Sequence, residues 1–223
     1  LKQINIPYGM VSIEEQAFAE CKCLETVNIY NNSKLNVIGS ESFINCSSLK
    51  QITIPSTVTS IGSQTFANCN LLSKVEISHN SLLRQIGICA FINCTALTRI
   101  DIPSNVKEIG SGAFQDCETM KEVKFINNYS LTSINSNVFY YCKHLKQIII
   151  PSTVKSIGDY AFYRCWYLTQ VTIPSSVTSI GERAFFLTDI ETITIPSSVI
   201  SIGDNIFDGC DKLKTVYIPS RFF

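Results

Sequence analysis

The chain has 223 residues, 45% of them hydrophobic, and its 18 Lys and Arg residues balance 18 Asp and Glu residues. This length fits one or two domains, and the hydrophobic share is ample for a core. Because the charges balance and no run of like charge appears, the composition argues against nucleic acid or an anionic membrane surface as a partner. No apolar segment approaches the ~20 residues needed to span a bilayer.

One pattern recurs along the whole chain and is clearest at 145–167, LKQIIIPSTVKSIGDYAFYRCWY. Nine full units of 22 to 25 residues and a truncated tenth start at Leu1, Leu24, Leu49, Leu72, Leu97, Met120, Leu145, Leu168, Ile190 and Leu213. A period in this range is typical of a solenoid, whose units must stack to bury their apolar sides. The unbroken repeat predicts a single domain over residues 1–223.

Each unit contains the same elements in the same order. The I-x-I portion, such as Ile148 and Ile150, alternates as a strand with one buried face should, and proline usually ends it. A glycine column follows, for which we predict a bend with φ > 0; Asn135 fills this column once. The A-F-x-x-C segment predicts a single helical or 3₁₀ turn. Its phenylalanine occurs in all nine full units and predicts a continuous aromatic spine.

The consensus L-x-x-I-x-I-P-x-x-V-x-x-I-G-x-x-A-F-x-x-C resembles the BspA-like, Treponema-type leucine-rich repeat family over essentially the whole chain. The resemblance implies an α/β solenoid that is mostly β and right-handed, with a parallel sheet on the concave side and short helical or irregular turns on the convex side. It also implies cell-surface or secreted proteins of host-associated bacteria and parasitic protozoa that are linked to adhesion.

Ten cysteines occur, and eight share one column: Cys21, Cys46, Cys69, Cys94, Cys117, Cys142, Cys165 and Cys210. We predict a ladder of buried, reduced thiols, although the ~5 Å spacing of coils does not exclude bridges. Cys23 and Cys89 lie off the ladder and are the better candidates for exposure or oxidation. The cysteines show no metal-binding spacing.

Units starting at Leu24, Leu72 and Met120 carry two extra residues, which predicts three enlarged loops along one rim. Sequons at Asn31 and Asn128 lie in these loops and are candidate glycosylation sites. Sequons also occur at Asn45 and Asn93, where a turn-forming role is the simpler explanation.

Residues that alternate with the buried I-x-I positions point outward on the predicted concave face. Its centre carries six charges that form a candidate partner-binding patch: Lys74, Glu76, Arg99, Asp101, Glu122 and Lys124. The alternative is simple cross-strand pairing on a solvated sheet. On the flanks the face is neutral, with Gln147 and Ile149 followed by much Thr and Gln.

A second candidate partner-binding surface is an aromatic patch on the convex side, consisting of Tyr140, Tyr141, Tyr163, Trp166, Tyr167 and Phe186. Trp and Tyr are enriched at binding hot spots. The alternative is that these rings seal a wide convex turn.

Catalytic chemistry is not indicated. The two histidines, His79 and His144, lie in different columns, and no nucleophile, phosphate-loop, dinucleotide or metalloprotease motif occurs. We therefore expect a non-enzymatic protein without cofactor or metal.

The expected function is a macromolecular binding module, adhesin-like and at the cell surface or secreted, which engages a protein such as a host or matrix protein. The alternatives are an intracellular (cytoplasmic) interaction scaffold and a carbohydrate-binding module. The ends have no polar cap, which predicts either missing capping segments or homo-association through an exposed end.

Overall fold

The structure is a computed structural model that describes residues 1–30 and 32–222. The long strands are β1 (Gln3–Ile6), β3 (Thr26–Ile29), β5 (Gln51–Ile54), β7 (Lys74–Ile77), β9 (Arg99–Ile102), β11 (Glu122–Phe125), β13 (Gln147–Ile149), β15 (Gln170–Thr172), β17 (Thr192–Thr194) and β19 (Thr215–Tyr217). The two-residue strands are β2 (Ser12–Ile13), β4 (Val37–Ile38), β6 (Ser60–Ile61), β8 (Gln85–Ile86), β10 (Glu108–Ile109), β12 (Ser133–Ile134), β14 (Ser156–Ile157), β16 (Ser179–Ile180) and β18 (Ser201–Ile202). A 3₁₀ helix covers Ser220–Phe222.

Equivalent strands of successive coils lie side by side and run parallel. Gln3 of β1 is opposite Thr26 of β3, and Gln147 of β13 is opposite Gln170 of β15. The long strands form the hydrogen-bonded groups β1-β3-β5-β7, β9-β11, β13-β15 and β17-β19, and the short strands form β2-β4-β6-β8-β10 and β12-β14-β16-β18. This arrangement confirms the predicted parallel β-solenoid.

The interior is a single apolar column that follows the solenoid axis. Inward residues of the strands, such as Ile148 and Ile150, are almost completely buried. The predicted phenylalanine spine is present: successive rings from Phe18 to Phe207 lie 5.2–6.0 Å apart between centroids, with interplanar angles of 2–19°. Nearly parallel rings at this distance are stacked with an offset, which is a favourable geometry for aromatic pairs.

The A-F-x-x-C segment does not form the predicted helical turn, and this expectation is wrong. It forms two tight turns in which every fourth residue has positive φ, for example Gln64 (53°) and Asn68 (60°). The backbone N–H groups of these turns alternate between acceptors in the next coil and acceptors in the same coil. Phe66 N donates to Ala90 O of the next coil, whereas Ala67 N donates to Gln64 O within its own coil. A helix needs consecutive right-handed residues, so the left-handed positions prevent one.

Asn45, Asn68 and Asn93 occupy one of these left-handed positions, with φ of 59–60°. Asparagine tolerates this conformation better than most residues. Their side chains also form a ladder, since Asn68 Nδ2 donates to Asn45 Oδ1 at 2.7 Å and Asn93 Nδ2 donates to Asn68 Oδ1 at 2.8 Å. The turn-forming explanation of this column is confirmed.

The glycine column has a different cause from the one predicted. Among the glycines only Gly112 and Gly209 have positive φ, and neither lies in the column. The column is required because the coils touch there: a Cβ on Gly87 would lie 2.4 Å from the carbonyl carbon of Gly62 and 2.5 Å from Ser63 N. Backbone atoms on the neighbouring coil cannot give way to it.

Two full units lack glycine in this column, with Glu14 in the first and Asn135 in the sixth, and the coils adapt to Asn135. Elsewhere the glycine N–H donates to an isoleucine carbonyl of the preceding coil, as Gly110 N does to Ile86 O at 2.8 Å. In the sixth unit, the side-chain nitrogen Asn135 Nδ2 donates to Ile109 O at 2.7 Å. The short-strand pairing is interrupted at this step, between β10 and β12.

The cysteine ladder is present as free thiols. Seven of its members are buried and Cys21 is half-buried; off the ladder, Cys23 is exposed and Cys89 is half-buried. Each buried thiol donates to a phenylalanine carbonyl of the preceding ladder coil, as in Cys117 Sγ to Phe91 O at 3.3 Å. Thr188 replaces cysteine once, but it donates to Phe185 O of its own coil, at 3.0 Å, and not to the preceding coil. The column thus supplies a small donor for a buried carbonyl.

Adding a methyl group in the glycine column should destabilise the fold. We expect Gly87→Ala to lower the free energy of unfolding by roughly 1–3 kcal/mol, because the coils must separate to admit the new Cβ. Gly9→Ala is the matched control, since nothing lies within 4 Å of a Cβ there, and it should change stability by no more than about 0.5 kcal/mol. Urea denaturation measures both, and equal stability of the two variants would contradict the close-contact explanation.

Stability should also fall at alkaline pH. Burial raises the pKa of the Cys117 thiol well above its usual value near 9 and raises that of Cys46 to about 12. Above pH 9 the unfolded chain ionises these thiols and the folded chain does not, so their stabilising contribution is complete below this pH and is lost as the pH rises above it.

The loss should be at most about 1.4 kcal/mol per pH unit for each buried thiol. Denaturation under reducing conditions between pH 7 and 10.5 measures it. Cys117→Ser keeps a donor for Phe91 O. In this variant the free energy of unfolding should fall less steeply with pH, by the contribution of one thiol. An unchanged slope would show that burial does not keep the Cys117 thiol protonated.

Candidate binding surfaces

The charged centre of the long-strand face is assembled as predicted, on the neighbouring strands β7, β9 and β11. Its charges pair with one another. Arg99 Nε and Nη1 lie 2.8 Å from Asp101 Oδ1 and Glu122 Oε2, and Lys124 Nζ lies 3.1 Å from Glu122 Oε1. In addition, Lys74 Nζ lies 2.5 Å from Glu76 Oε1.

These contacts stabilise the charged forms of the centre. The hydrogen bonds from Lys74 and Thr53 lower the pKa of the Glu76 carboxyl, and the hydrogen bond to Asp101 raises the pKa of Arg99. All six charges have an opposite partner within the centre: Arg99–Glu122 pairs across strands, and the three other pairs lie along single strands. A partner that bound here through ion pairs would have to displace existing ones.

The aromatic patch is also assembled, on the side formed by the paired turns. Tyr140, Tyr163 and Phe186 form a second stack with centroids 4.9 and 4.8 Å apart. Trp166 meets the ring of Tyr141 edge-on at 5.4 Å. The stacked rings are half-buried, whereas Trp166 is 41% exposed. The inner rings therefore cover the turns, and only the outer ones protrude.

Basic side chains complete the aromatic patch, and sequence reasoning missed them. Lys143 Nζ lies 4.4 Å from the Tyr141 centroid and 2.8 Å from Glu118 Oε2. The guanidinium of Arg164 lies 5.4 Å from the Tyr163 centroid. These distances are within the range of cation–π attraction. The signal was present in the sequence, since basic residues alternate with the aromatic ones here.

Two of the enlarged loops are fixed by a buried serine. Ser33 Oγ accepts a hydrogen bond from Leu35 N, and Ser81 Oγ accepts one from Leu83 N, both at 3.1 Å. Both serines are buried. Asn31, a predicted glycosylation site in the first of these loops, lies outside the described residues.

In the third loop Asn128 performs this anchoring role, and the prediction of a glycan there is corrected. Asn128 is only 4% exposed. Its Nδ2 donates to Pro103 O at 3.0 Å and to Val106 O at 2.9 Å, and its Oδ1 accepts from the N–H groups of Ser130 and Leu131 at 3.0 and 2.9 Å. Both hydrogens of Nδ2 are in use, so a glycan on the folded chain would break this anchor.

The second and third enlarged loops each border a groove on the long-strand face. The first groove, about 790 Å³, is lined by Lys74, Glu76 and Arg99 together with His79 of the loop. The second groove, about 630 Å³, is lined by Ile149 and Tyr129 among others. Ile149 and Tyr129 are each 72% exposed. The sequence placed Ile149 on this face, but Tyr129 was not anticipated as its neighbour.

The sequence and structure were compared with known proteins. A family model described as BspA type leucine-rich repeat region matches residues 1–121 and 132–222 in six copies. The chain belongs to this family. None of the curated protein sequences matches the chain.

Several solved leucine-rich repeat structures resemble this one. A leucine-rich repeat protein from Bacteroides ovatus is 32% identical over 98% of this chain and 57% of its own, with a TM-score of 0.88. The T. pallidum leucine-rich repeat protein is 25% identical over 75% of this chain and 78% of its own, with a TM-score of 0.65.

A leucine-rich cell surface protein from Faecalibacterium prausnitzii is 26% identical over 99% of this chain and 73% of its own, with a TM-score of 0.51. The chain thus spans little more than half of the Bacteroides ovatus protein. This likeness supports the repeat architecture.

Within 1–30 and 32–222, no cluster of three or more His, Cys, Asp or Glu side chains could hold a metal ion. Over the same ranges no helix has the length and apolar character to cross a membrane. The ring of His144 stacks on Tyr167 at 5.3 Å, and its Nδ1 donates to Glu118 O at 2.8 Å. His144 is therefore held by local contacts.

Removing the anchor of the third loop should destabilise the leucine-rich repeat domain. Asn128→Ala removes four hydrogen bonds and leaves Val106 O and two N–H groups without a partner among the described residues, whereas Pro103 O keeps Val106 N. We therefore expect a loss of roughly 2–4 kcal/mol in the free energy of unfolding. Tyr129→Ala removes an exposed neighbour and should cost about 0.5 kcal/mol or less. Thermal and urea denaturation test this pair. Equal stability of Asn128→Ala and the unsubstituted protein would refute the anchoring role.

Proposed function

We propose that this leucine-rich repeat domain is a non-enzymatic protein-binding module whose parent protein acts at the cell surface or is secreted, in the manner of an adhesin. The observation that carries the proposal is the pair Ile149 and Tyr129, two large exposed side chains that line one groove at the long-strand face. Exposed apolar side chains that a scaffold does not need for its own stability are typical of protein interaction sites.

The scaffold suits a large partner. Ten strands at a spacing of about 4.8 Å give a strip roughly 45 Å long. The strip is fixed by inter-coil hydrogen bonds along the chain. Binding to such a surface requires little ordering of the domain, which lowers the entropic cost of association. A strip of this length fits a protein or an extended polymer better than a small metabolite.

Family membership supports the surface location by analogy. The similar Faecalibacterium prausnitzii protein is described as a cell surface protein. Analogy between shared folds does not by itself assign a function, so the location needs its own experiment.

An intracellular scaffold is the second candidate, and one observation favours it. Cys23 is an exposed free thiol, and such thiols are more common in reducing compartments. Carbohydrate binding through the aromatic patch has weaker support, because the inner rings stack on one another and their faces are covered.

The two locations predict different labelling of cells that express the protein. Antibodies raised against the purified domain should bind intact cells, and external protease should remove the signal. A cytoplasmic protein, detected after permeabilisation, is the control for cell integrity. Staining that appears only after permeabilisation would reject the surface proposal and support the intracellular scaffold.

A further inference from the structure

We propose that the groove between Tyr129 and Ile149 holds a bulky apolar side chain of an extended, uncharged peptide segment from a partner protein. The proposal deepens the protein-binding function above and rests on it. It assigns a particular site and a particular ligand chemistry to that function. Two local departures from the repeat, one on a loop and one on a strand, converge in this groove.

The first departure is Ile149 on β13. Its column on the long-strand face otherwise carries polar or charged residues and, at its end, a tyrosine: Asn5, Asn28, Thr53, Glu76, Asp101, Lys124, Thr172, Thr194 and Tyr217. The core does not require Ile149, because the flanking Ile148 and Ile150 point inward and are 2% and 3% exposed. An apolar residue that is 72% exposed at this position adds nothing to the packing of its own coil.

The second departure is Tyr129 in the third enlarged loop. Tyr129 stands at the position that Ser33 and Ser81 occupy in the other two loops, where each serine is buried and accepts the leucine N–H. In the third loop Oδ1 of Asn128 accepts the equivalent N–H of Leu131 at 2.9 Å. The anchor has moved by one residue, which frees Tyr129 to face solvent.

The same anchor keeps the exposed tyrosine in place. Asn128 makes four hydrogen bonds, two of them to carbonyls of the preceding coil. The loop backbone on one side of the groove and strand β13 on the other are thus both fixed before a ligand arrives. A site that is ordered in advance loses less entropy when it binds.

The chemistry of the groove defines the occupant. Phe125 and Ile126 add half-buried apolar surface beside Tyr129 and Ile149. The charges in the lining, Glu122 and Lys124, pair with each other at 3.1 Å. No unpaired charge is therefore available within the groove, so an uncharged segment fits it better than an acidic or basic one.

Polar groups in the groove suit a peptide backbone. The side chains of Gln147 and Thr172 make no hydrogen bond to any other residue that the structure describes. An amide and a hydroxyl can both donate and accept, as the N–H and C=O groups of an extended peptide require. Tyr129 offers a ring on which a sugar could stack, but the branched aliphatic Ile149 of the same groove suits a bulky apolar side chain, so the groove as a whole favours a peptide over a glycan.

The charged groove is an internal comparison. It is bordered by the second enlarged loop and has a similar size, about 790 Å³, but it is lined by Lys74, Glu76, Arg99 and Asp101. Two grooves of related architecture therefore offer different chemistry along one face. Only the groove at Tyr129 and Ile149 carries large exposed apolar side chains.

A random 12-residue peptide library displayed on phage and selected on the purified domain tests the proposal. We expect enriched sequences with one bulky aliphatic or aromatic residue flanked by uncharged residues. A synthetic peptide of the enriched sequence should then bind the domain in solution, as measured by calorimetry or fluorescence anisotropy.

Affinity for that peptide should fall at least about tenfold in Ile149→Thr and in Tyr129→Ser. Both changes restore the residue found at the equivalent place in other coils, such as Thr172 and Ser81, so folding should be retained. Ile200→Thr is the matched control. Ile200 is 69% exposed on another side of the coil, its column carries Thr178, and its substitution should leave affinity unchanged.

Failure to enrich any sequence, enrichment of charged sequences only, or full affinity in folded Ile149→Thr would each overturn the proposal. A neutral glycan array with Ile149-dependent binding would overturn the choice of a peptide. Peptide binding that is unchanged in Ile149→Thr would leave the general protein-binding function in place at another surface. The groove proposal and the protein-binding proposal can therefore fail separately.

Discussion

The close contact between successive coils is the constraint on which the rest of this structure depends. Each coil must lie within hydrogen-bonding distance of the next on every side. The long and short strands satisfy this through parallel pairing, and the paired turns satisfy it by directing alternate N–H groups to the neighbouring coil. At the glycine column the backbones touch so closely that a Cβ would collide with main-chain atoms. The need for this close contact between coils explains most of the residue types that recur in the repeat.

The same constraint explains how the buried polar groups are treated. The phenylalanine carbonyls of the turns accept a backbone N–H within their own coil, as Phe91 O does from Cys94 N, and each has a second lone pair for another donor. The cysteine column provides donors for the phenylalanine carbonyls. Thr188 is the one replacement in the full units, and it donates to Phe185 O of its own coil, which also accepts from Cys210 Sγ. The thiols are thus structural groups, kept protonated by burial.

Much of the fold could be predicted from sequence because its signals are periodic and local. The strand alternation, the phenylalanine spine and the thiol column each follow from a repeated residue type. The errors arose where the cause lies in another coil. The reason for glycine at Gly87 is the backbone at Gly62, and the turn geometry at Gln64 and Asn68 depends on carbonyls one coil further on.

For the candidate surfaces, the sequence predicted the positions of the strand residues but not their contacts. Outward positions on the strands follow from alternation, so the charged centre and Ile149 could be located. The Arg99–Glu122 pair follows from the parallel register and the other pairs follow from alternation along one strand, but the geometry of each contact does not. The role of Asn128 could not be read from its sequon, because its backbone partners include Pro103 and Val106, 25 and 22 residues away.

In a scaffold of this kind, one set of residues stabilises the fold and another set is exposed for binding. The inward columns are constrained by every neighbouring coil, whereas an outward residue touches little and can change without affecting the core. An outward residue that departs from its column therefore needs an explanation outside the packing of the coil. Ile149 and Tyr129 are two such departures on different elements, and the shift of the loop anchor from serine to Asn128 keeps the loop fixed despite the change. Since neither departure adds to the core and both line one groove, selection for what the groove contacts is the simplest physical explanation of both.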